Sequence, residues 1–276
     1  MHILVVEGNT PELALAVRRA TGATPSHAFA ATLKAIDETL TFSYAAPYFS
    51  DHDLGTYDFR AYDGAVVTGS GVAWSASDPA ARAFWALYEK LFAAGAPAFG
   101  SGWGMQTAAV ALGGEVVAAA SPEVPVARAI RPGGHAMTEG RRESFDAFAM
   151  RRDEVGRLPN GAEIAASSET TEAQAFAYER GGVDFWGTLY QPECRPSDVA
   201  WWLGRRDAST GSADPAFAAD LKRIDEDHVA YARLAATRRI GLDLLDPAYR
   251  RTELANWVDH LRSRTVHDGE GARPVA

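Results

Sequence analysis

The 276-residue chain has a single cysteine, Cys194, so no internal disulfide can form, and a reducing compartment fits that usage. It has no excess of positive charge. Twenty-seven Lys and Arg face 36 Asp and Glu, for a net charge of -9. The bases form no run, which argues against nucleic acid as a partner. No apolar stretch approaches the ~20 residues needed to span a bilayer, so no membrane partner is expected. The opening "MHILVVEG" lacks a charged n-region, a long apolar h-region and a cleavage site, so the cytoplasm is the expected location. No G-x-G-x-x-G follows the first apolar run, where the chain reads "VVEGNTPE", so a dinucleotide fold is not supported. Metal-ligand spacing is also missing. The "SDHD" at 50–53 does not converge on an extended segment, and "DEDH" at 225–228 reads as a solvated helix face. No metal and no cofactor are expected.

What is present is an alternation of short apolar runs and helical patterns. "ILVV" (3–6), "GAVVTGS" (64–70) and "APAFG" (96–100) read as buried strands. "PELALAVRRA" follows the first, and Asp78-Pro79 starts a helix whose Phe84, Leu87, Tyr88 and Leu91 share one face. "MQTAAVALGG" is a third helix, stopped by Gly113-Gly114. Strands alternating with helices argue for a mostly parallel sheet covered on both faces. From about 115 to 190 the pattern changes to closely spaced strands, read as an antiparallel addition. "DVAWWLGRR" (198–206) is helical, and "RRDASTGSADP" (205–215) is the best linker. Beyond it, Asp214-Pro215 starts a helix, and Phe217, Leu221, Ile224, Tyr231 and Leu234 make an apolar stripe. A last helix carries Leu254, Trp257, Val258 and Leu261, and the tail from 267 should fray. The expected division is 1–205 and a helical extension over 206–276. The extension's stripes either cap the sheet or make a homodimer surface.

The glycine-dense turn in "AFGSGWGMQTAAVALGG" gives the chain its most specific signature. With "YDGAVVTGS", "RRDEVGRLPNGAEIAASSETTEAQAF" and "WGTLYQPE", it resembles the class I glutamine amidotransferase family over about residues 1–205. The resemblance implies a flavodoxin-like three-layer α/β fold with a central mostly parallel sheet, an antiparallel add-on and the C-terminal helical extension. It also implies a chemistry. A Cys thiolate at the elbow attacks an amide, a His shuttles protons, a Glu two residues on orients the His, and backbone N–H groups stabilise the oxyanion.

Carried over position by position, the resemblance places Gly102 where the Cys belongs and Gln191 where the His belongs, while Glu193 keeps the carboxylate. Gly has no nucleophile, and an amide cannot exchange a proton near neutrality. Gly69 and Ser70 match the oxyanion turn, and Gly100, Gly104 and Gln106 match the elbow. Tyr190 matches an aromatic position, and Arg151 replaces a family His beside Arg152. The expected function is therefore a small-molecule enzyme of altered, non-thioester chemistry. Glu193 and Gln191 are its catalytic candidates, and Gly69, Ser70, Gly102, Trp103, Gln106, Tyr190 and Arg151 its substrate-binding candidates. Trp103 either walls a ligand or plugs the pocket, and Arg151 either binds an anion or is surface charge. The alternatives are an inactive protein that binds a metabolite or a synthetase partner, and glutaminase activity rescued by Ser101 or Cys194. A side chain one position before the tip, such as that of Ser101, normally turns back to the core.

Overall fold

A computed structural model describes residues 1–50, 53–204, 214–224 and 228–271. The linker stretch 205–213, residues 51–52 of "SDHD", residues 225–227 of "DEDH", and the tail from 272 lie outside the described residues. Eleven strands are described: β1 His2–Val6, β2 Thr41–Ala45, β3 Gly64–Val67, β4 Ala98–Ser101, β5 Glu115–Glu123, β6 Val126–Pro132, β7 Phe145–Phe148, β8 Arg151–Arg157, β9 Glu163–Ser167, β10 Ala175–Tyr178 and β11 Phe185–Thr188. The helices are α1 Pro11–Thr21, α2 Pro25–Ile36, α3 Arg82–Ala93, α4 Trp103–Ala111, α5 Pro196–Leu203, α6 Pro215–Ile224, α7 His228–Arg238, α8 Pro247–Arg250 and α9 Thr252–Gly271.

Nine strands form one sheet in the order β2-β1-β3-β4-β11-β10-β9-β6-β7, and β5 and β8 pair separately. The five from β2 to β11 run parallel, and the remainder of the sheet continues antiparallel. One expectation changes here. "FWGTLYQ" reads as part of the antiparallel addition, yet β11 pairs in parallel with β4, with Phe185 opposite Ala98 and Thr188 opposite Ser101. The chain makes the antiparallel excursion and then re-enters the parallel core. Periodicity marks a strand, but its direction is set by a neighbour distant in sequence.

Burial on both faces explains the unbroken apolar runs. In β1, Leu4 and Val6 pack with α3 and α4 on one side, while Ile3 and Val5 pack with α2 and α9 on the other. The caps behave as the sequence predicts. Asp78 Oδ1 accepts from the Ala80 amide, first in a short 3-10 turn over Pro79–Ala81, and α3 then buries Phe84, Leu87, Tyr88 and Leu91. The C-terminal stripes are covered by the chain itself. Leu254, Trp257, Val258 and Leu261 of α9 pack on the sheet, and Phe217, Leu221, Ile224 and Leu234 pack with α5. Gly64 makes room for α9, because a Cβ there would lie 3.0 Å from the Trp257 ring. The α9 helix runs through Gly271, so the first part of the tail expected to fray, from 267, is helical. No described helix is long and apolar enough to cross a membrane.

Candidate functional site

The parallel strands deliver four loops to one edge of the sheet: Glu7–Asn9 after β1, Thr68–Gly71 after β3, the elbow after β4, and Gln191–Glu193 after β11. Carboxyl ends of parallel strands are where open α/β sheets bind ligands. At the elbow, Gly102 joins β4 to α4 with φ 53° and ψ -113°. This backbone region is costly for residues with a Cβ and is held at functional turns. Its neighbours must be small. A Cβ on Gly104 would meet the Val67 carbonyl at 2.4 Å, and one on Gly100 would meet the Met105 amide at 2.7 Å. The Gly-x-Gly-x-Gly pattern thus lets the strand and helix cross closely.

The Gln191 side chain lies over this turn. Its Nε2 would be 3.5 Å from a Cβ on Gly102 and 2.5 Å from one on Gly69, while its backbone amide donates to the Phe148 carbonyl. Gln191 Oε1 is buried without a hydrogen-bond partner. Beneath the turn, the fully buried Ser101 hydroxyl donates to the Glu193 carboxylate, 2.7 and 2.8 Å from its two oxygens. Ser101 therefore faces the core and borders neither cavity described below. Burial pushes the Glu193 carboxyl up to about 7, the Ser101 hydroxyl opposes that rise, and nearby Asp198 adds to it.

A single open pocket bounded by Trp103, Gln106, Gln191 and Glu193 would favour ligand binding, but among the described residues these four border two separate cavities. The larger, about 690 Å³ with its open mouth, lies against Asn9, Gly69, Ser70, Gln191, Glu193 and Trp202. The smaller, about 390 Å³, lies against Ser70, Trp103, Gln106, Arg151 and Gln191. Gln191, Ser70 and Met150 border both, so these residues form the partition. No histidine borders either cavity among the described residues.

Trp103 does not fill the space over the elbow. Its ring packs edge-on to Phe84, with centroids 4.7 Å apart, and its Nε1 is buried without a partner beside the small cavity. Gln106 Nε2 donates to the Asp153 carbonyl at 2.8 Å. Two of the expected binding residues are engaged by other parts of the chain. Tyr190 is fully buried away from both cavities, donating to Glu253 at 2.8 Å. Arg151 is not surface charge. It is 5% exposed, and Glu123, Thr171 and the Asp153 carbonyl hold its guanidinium. Each of its three nitrogens donates to a protein oxygen, although it borders the small cavity. Cys194 borders the large cavity. Burial pushes its thiol well up, and Glu193 and Asp198 push it further, which opposes the thiolate a nucleophile needs.

Sequence reasoning missed Asn9, Asp198, Met150 and Trp202. Asn9 Oδ1 accepts from the Gly71 amide at 2.9 Å and its Nδ2 donates to buried Glu7 at 2.7 Å, which ties the β1 loop to the β3 loop. Trp202 of α5 packs on Gly71, where a Cβ would lie 2.3 Å from the ring. The available signal was position: Asn9 sits just past a buried strand end. Among the described residues, one set of ligand-type side chains converges, Glu179, Asp184 and His260, at the opposite end of β11. These groups bond to protein instead: His260 and Arg264 each reach Asp184 at 2.8 Å, and Trp186 Nε1 reaches Glu179 at 2.7 Å.

Comparison with known proteins gives this geometry its family. Residues 48–199 match the family model described as glutamine amidotransferase class-I. A γ-glutamyl-L-1-hydroxyisopropylamide hydrolase of a Pseudomonas species is 32% identical over 95% of this chain and 93% of its own length. The chain belongs to the class I glutamine amidotransferase family. A glutamine-hydrolysing GMP synthase of Leifsonia xyli subsp. xyli is 32% identical over 41% of this chain, but over only 23% of its own length. The crystal structure of a glutamine amido transferase from Methylobacillus flagellatus shares the fold, with a TM-score of 0.63 at 20% identity over 94% of both chains.

Proposed function

We propose that this member of the family is a small-molecule enzyme that works without a thioester, with Glu193 as its acid–base group. Gly102 stands at the family's nucleophile position and Gln191 at its base position. One observation carries the reading: the carboxylate of Glu193 borders the 690 Å³ cavity and, among the described residues, has no cationic side chain bonded to it. A carboxyl held near 7 can both take and give a proton at neutral pH. Glycine at 102 and an amide at 191 leave the elbow with no group for covalent catalysis. Ser101 is turned away, and Cys194 is held protonated by its surroundings.

The activity for which the Pseudomonas relative is named, hydrolysis of a γ-glutamyl amide, favours hydrolysis among the acid–base reactions open to such a site. Water would then be the nucleophile. Glu193 takes its proton as the water oxygen bonds to the amide carbon, then returns it to the leaving nitrogen as the C–N bond breaks, giving a carboxylic acid and a free amine, while Gln191 orients the substrate amide. No bond to the protein forms at any step.

The test is substrate discovery followed by one substitution. The purified protein is incubated with a γ-glutamyl amide panel and with small-molecule extract, and mass spectrometry follows which species are consumed. The reading expects consumption that Glu193→Gln abolishes. Consumption that persists in that variant would overturn Glu193 as the acid–base group. A second reading, a binding protein without catalysis, is favoured by Gln191 lying across the elbow. It is supported if a metabolite copurifies and no species is consumed.

A further inference from the structure

The large cavity sits where the sheet changes direction of winding. From β1 the chain goes to β2 on one side, and β3 pairs on the other. The loops that leave β1 and β3 part at this point, and open α/β sheets bind ligands in such crevices. Asn9 of the first loop and Thr68–Gly71 of the second form its floor. This place is displaced from the elbow, from which Gln191 separates it.

The lining has two chemical characters. Glu193, Asp198, Asn9 and the Gln191 amide, whose buried Oε1 has no partner, are polar. Val17, Ala28, Met150 and Trp202 are apolar. Among the described residues, no lysine or arginine borders the cavity. Asp198 is already paired, its two oxygens held by Arg195 at 2.8 and 3.0 Å. Glu193 is 8% exposed, and among the described residues the one side chain that donates to it is the Ser101 hydroxyl. A carboxylate can accept about four hydrogen bonds. Glu193 therefore keeps acceptor capacity for a donor supplied from outside the chain.

The geometry points to a small organic ammonium as the ligand of this cavity, its N–H donors on Glu193 and Gln191 Oε1 and its apolar body against Val17, Ala28, Met150 and Trp202. An ammonium has three donors and no acceptor, which matches a wall with acceptors to spare. It would also neutralise the one carboxylate there that the protein leaves without a cation. An anion would face Glu193 and Asp198 with no basic residue to receive it. The inference rests on the proposed function only in taking this cavity as the ligand site.

The test uses 3-methylbutylammonium, with 3-methylbutanol and 3-methylbutanoate as neutral and anionic isosteres. Binding to the full chain is measured by calorimetry and by saturation-transfer NMR. The ammonium should bind at least about ten-fold more tightly than either isostere, a difference of about 1.4 kcal/mol. Glu193→Gln should erase that preference. Ala28→Phe, which fills the apolar side without touching the carboxylate, should weaken binding while circular dichroism stays unchanged. Equal affinity for the three probes, no binding of the ammonium, or a preference surviving Glu193→Gln would each overturn the inference. Loss of the catalytic reading is separable: ammonium binding without turnover refutes the enzyme and keeps the site. Turnover with equal affinity for the three probes refutes the ammonium site and keeps the enzyme.

Discussion

Glu193 and Glu253 are both buried, and their neighbours differ in kind. Glu253, on α9, is fully buried and takes a two-pronged bond from Arg141, whose Nε lies 2.8 Å from Oε1, together with the Tyr190 hydroxyl. Desolvation alone would lower the Arg141 pKa, but the charge and hydrogen bonds of Glu253 more than offset this and raise it. Glu193, after β11, has a serine hydroxyl and, among the described residues, no bonded cation, and its carboxyl is pushed up to about 7. The difference separates a structural charge from an available one. Glu253 has its partners built in and pins α9 to the sheet. Glu193 has a site around it and a proton that moves near neutral pH.

Four changes would break or sharpen that contrast, and the largest supplies Glu193 with a partner. Gly102→Cys with Gln191→His installs a thiol at the elbow and an imidazole beside Glu193. A Cβ at 102 would lie 3.5 Å from the present Gln191 side chain, so the space exists. Glutamate release from L-glutamine should rise at least about a hundred-fold over the unmodified protein, since nucleophile and base act as a unit. An enzyme-coupled glutamate assay reads this. No gain in the folded double variant would mean that these positions are not the dyad.

Next comes the reverse operation on Glu253. Arg141→Met strands a buried carboxylate, and urea unfolding should show a loss of about 3–5 kcal/mol. Adding Glu253→Leu should recover much of it. A loss under about 1 kcal/mol would mean that Glu253 is solvated after all, and the contrast with Glu193 would collapse.

Glu193→Gln should change how stability depends on pH. The folded value of about 7 lies above the ordinary 4.5, so the folded protein holds a proton that the unfolded chain releases. That contribution is full below about 4.5 and is lost as pH rises through about 7. Glutamine does not titrate. The variant should therefore gain about 3 kcal/mol relative to the native protein between pH 4 and pH 8, measured by denaturant unfolding at each pH. Asp198 and the Ser101 hydroxyl are the groups that bear on this titration, the first raising it and the second lowering it. A flat difference across that range would place the carboxylate in water. The smallest effect belongs to Ser101→Ala, which removes the hydroxyl. It should cost about 1 kcal/mol and move the Glu193 titration further up, as followed by NMR.

Much of the fold was legible because local rules agree with the global arrangement. The runs at 3–6, 64–67 and 98–100 are apolar without alternation because their strands are covered on both faces. Asp78 and Asp214 begin their helices because each accepts from a backbone amide of the first turn. The elbow was legible too, since its glycines answer to close backbone contacts that no other residue allows. The direction of β11 was not, because strand polarity depends on β4, more than 80 residues earlier. Nor was the engagement of Arg151, whose partners Glu123 and Thr171 come from separate segments.

The sequence by itself determined the composition of the candidate site: no thiol and no imidazole at the elbow, a carboxylate two residues beyond Gln191, and glycines that keep the turn open. Tertiary structure decided what those residues face. Gln191 became a partition between two cavities, Ser101 turned inward to hold Glu193, and the larger space opened between the β1 and β3 loops. The physical reason is that residue chemistry is local to the chain, whereas desolvation and charge pairing are set by side chains brought together from distant segments. Glu193 and Glu253 are the same residue type, and only their assembled neighbours make one a fixed anchor and the other a titrating group.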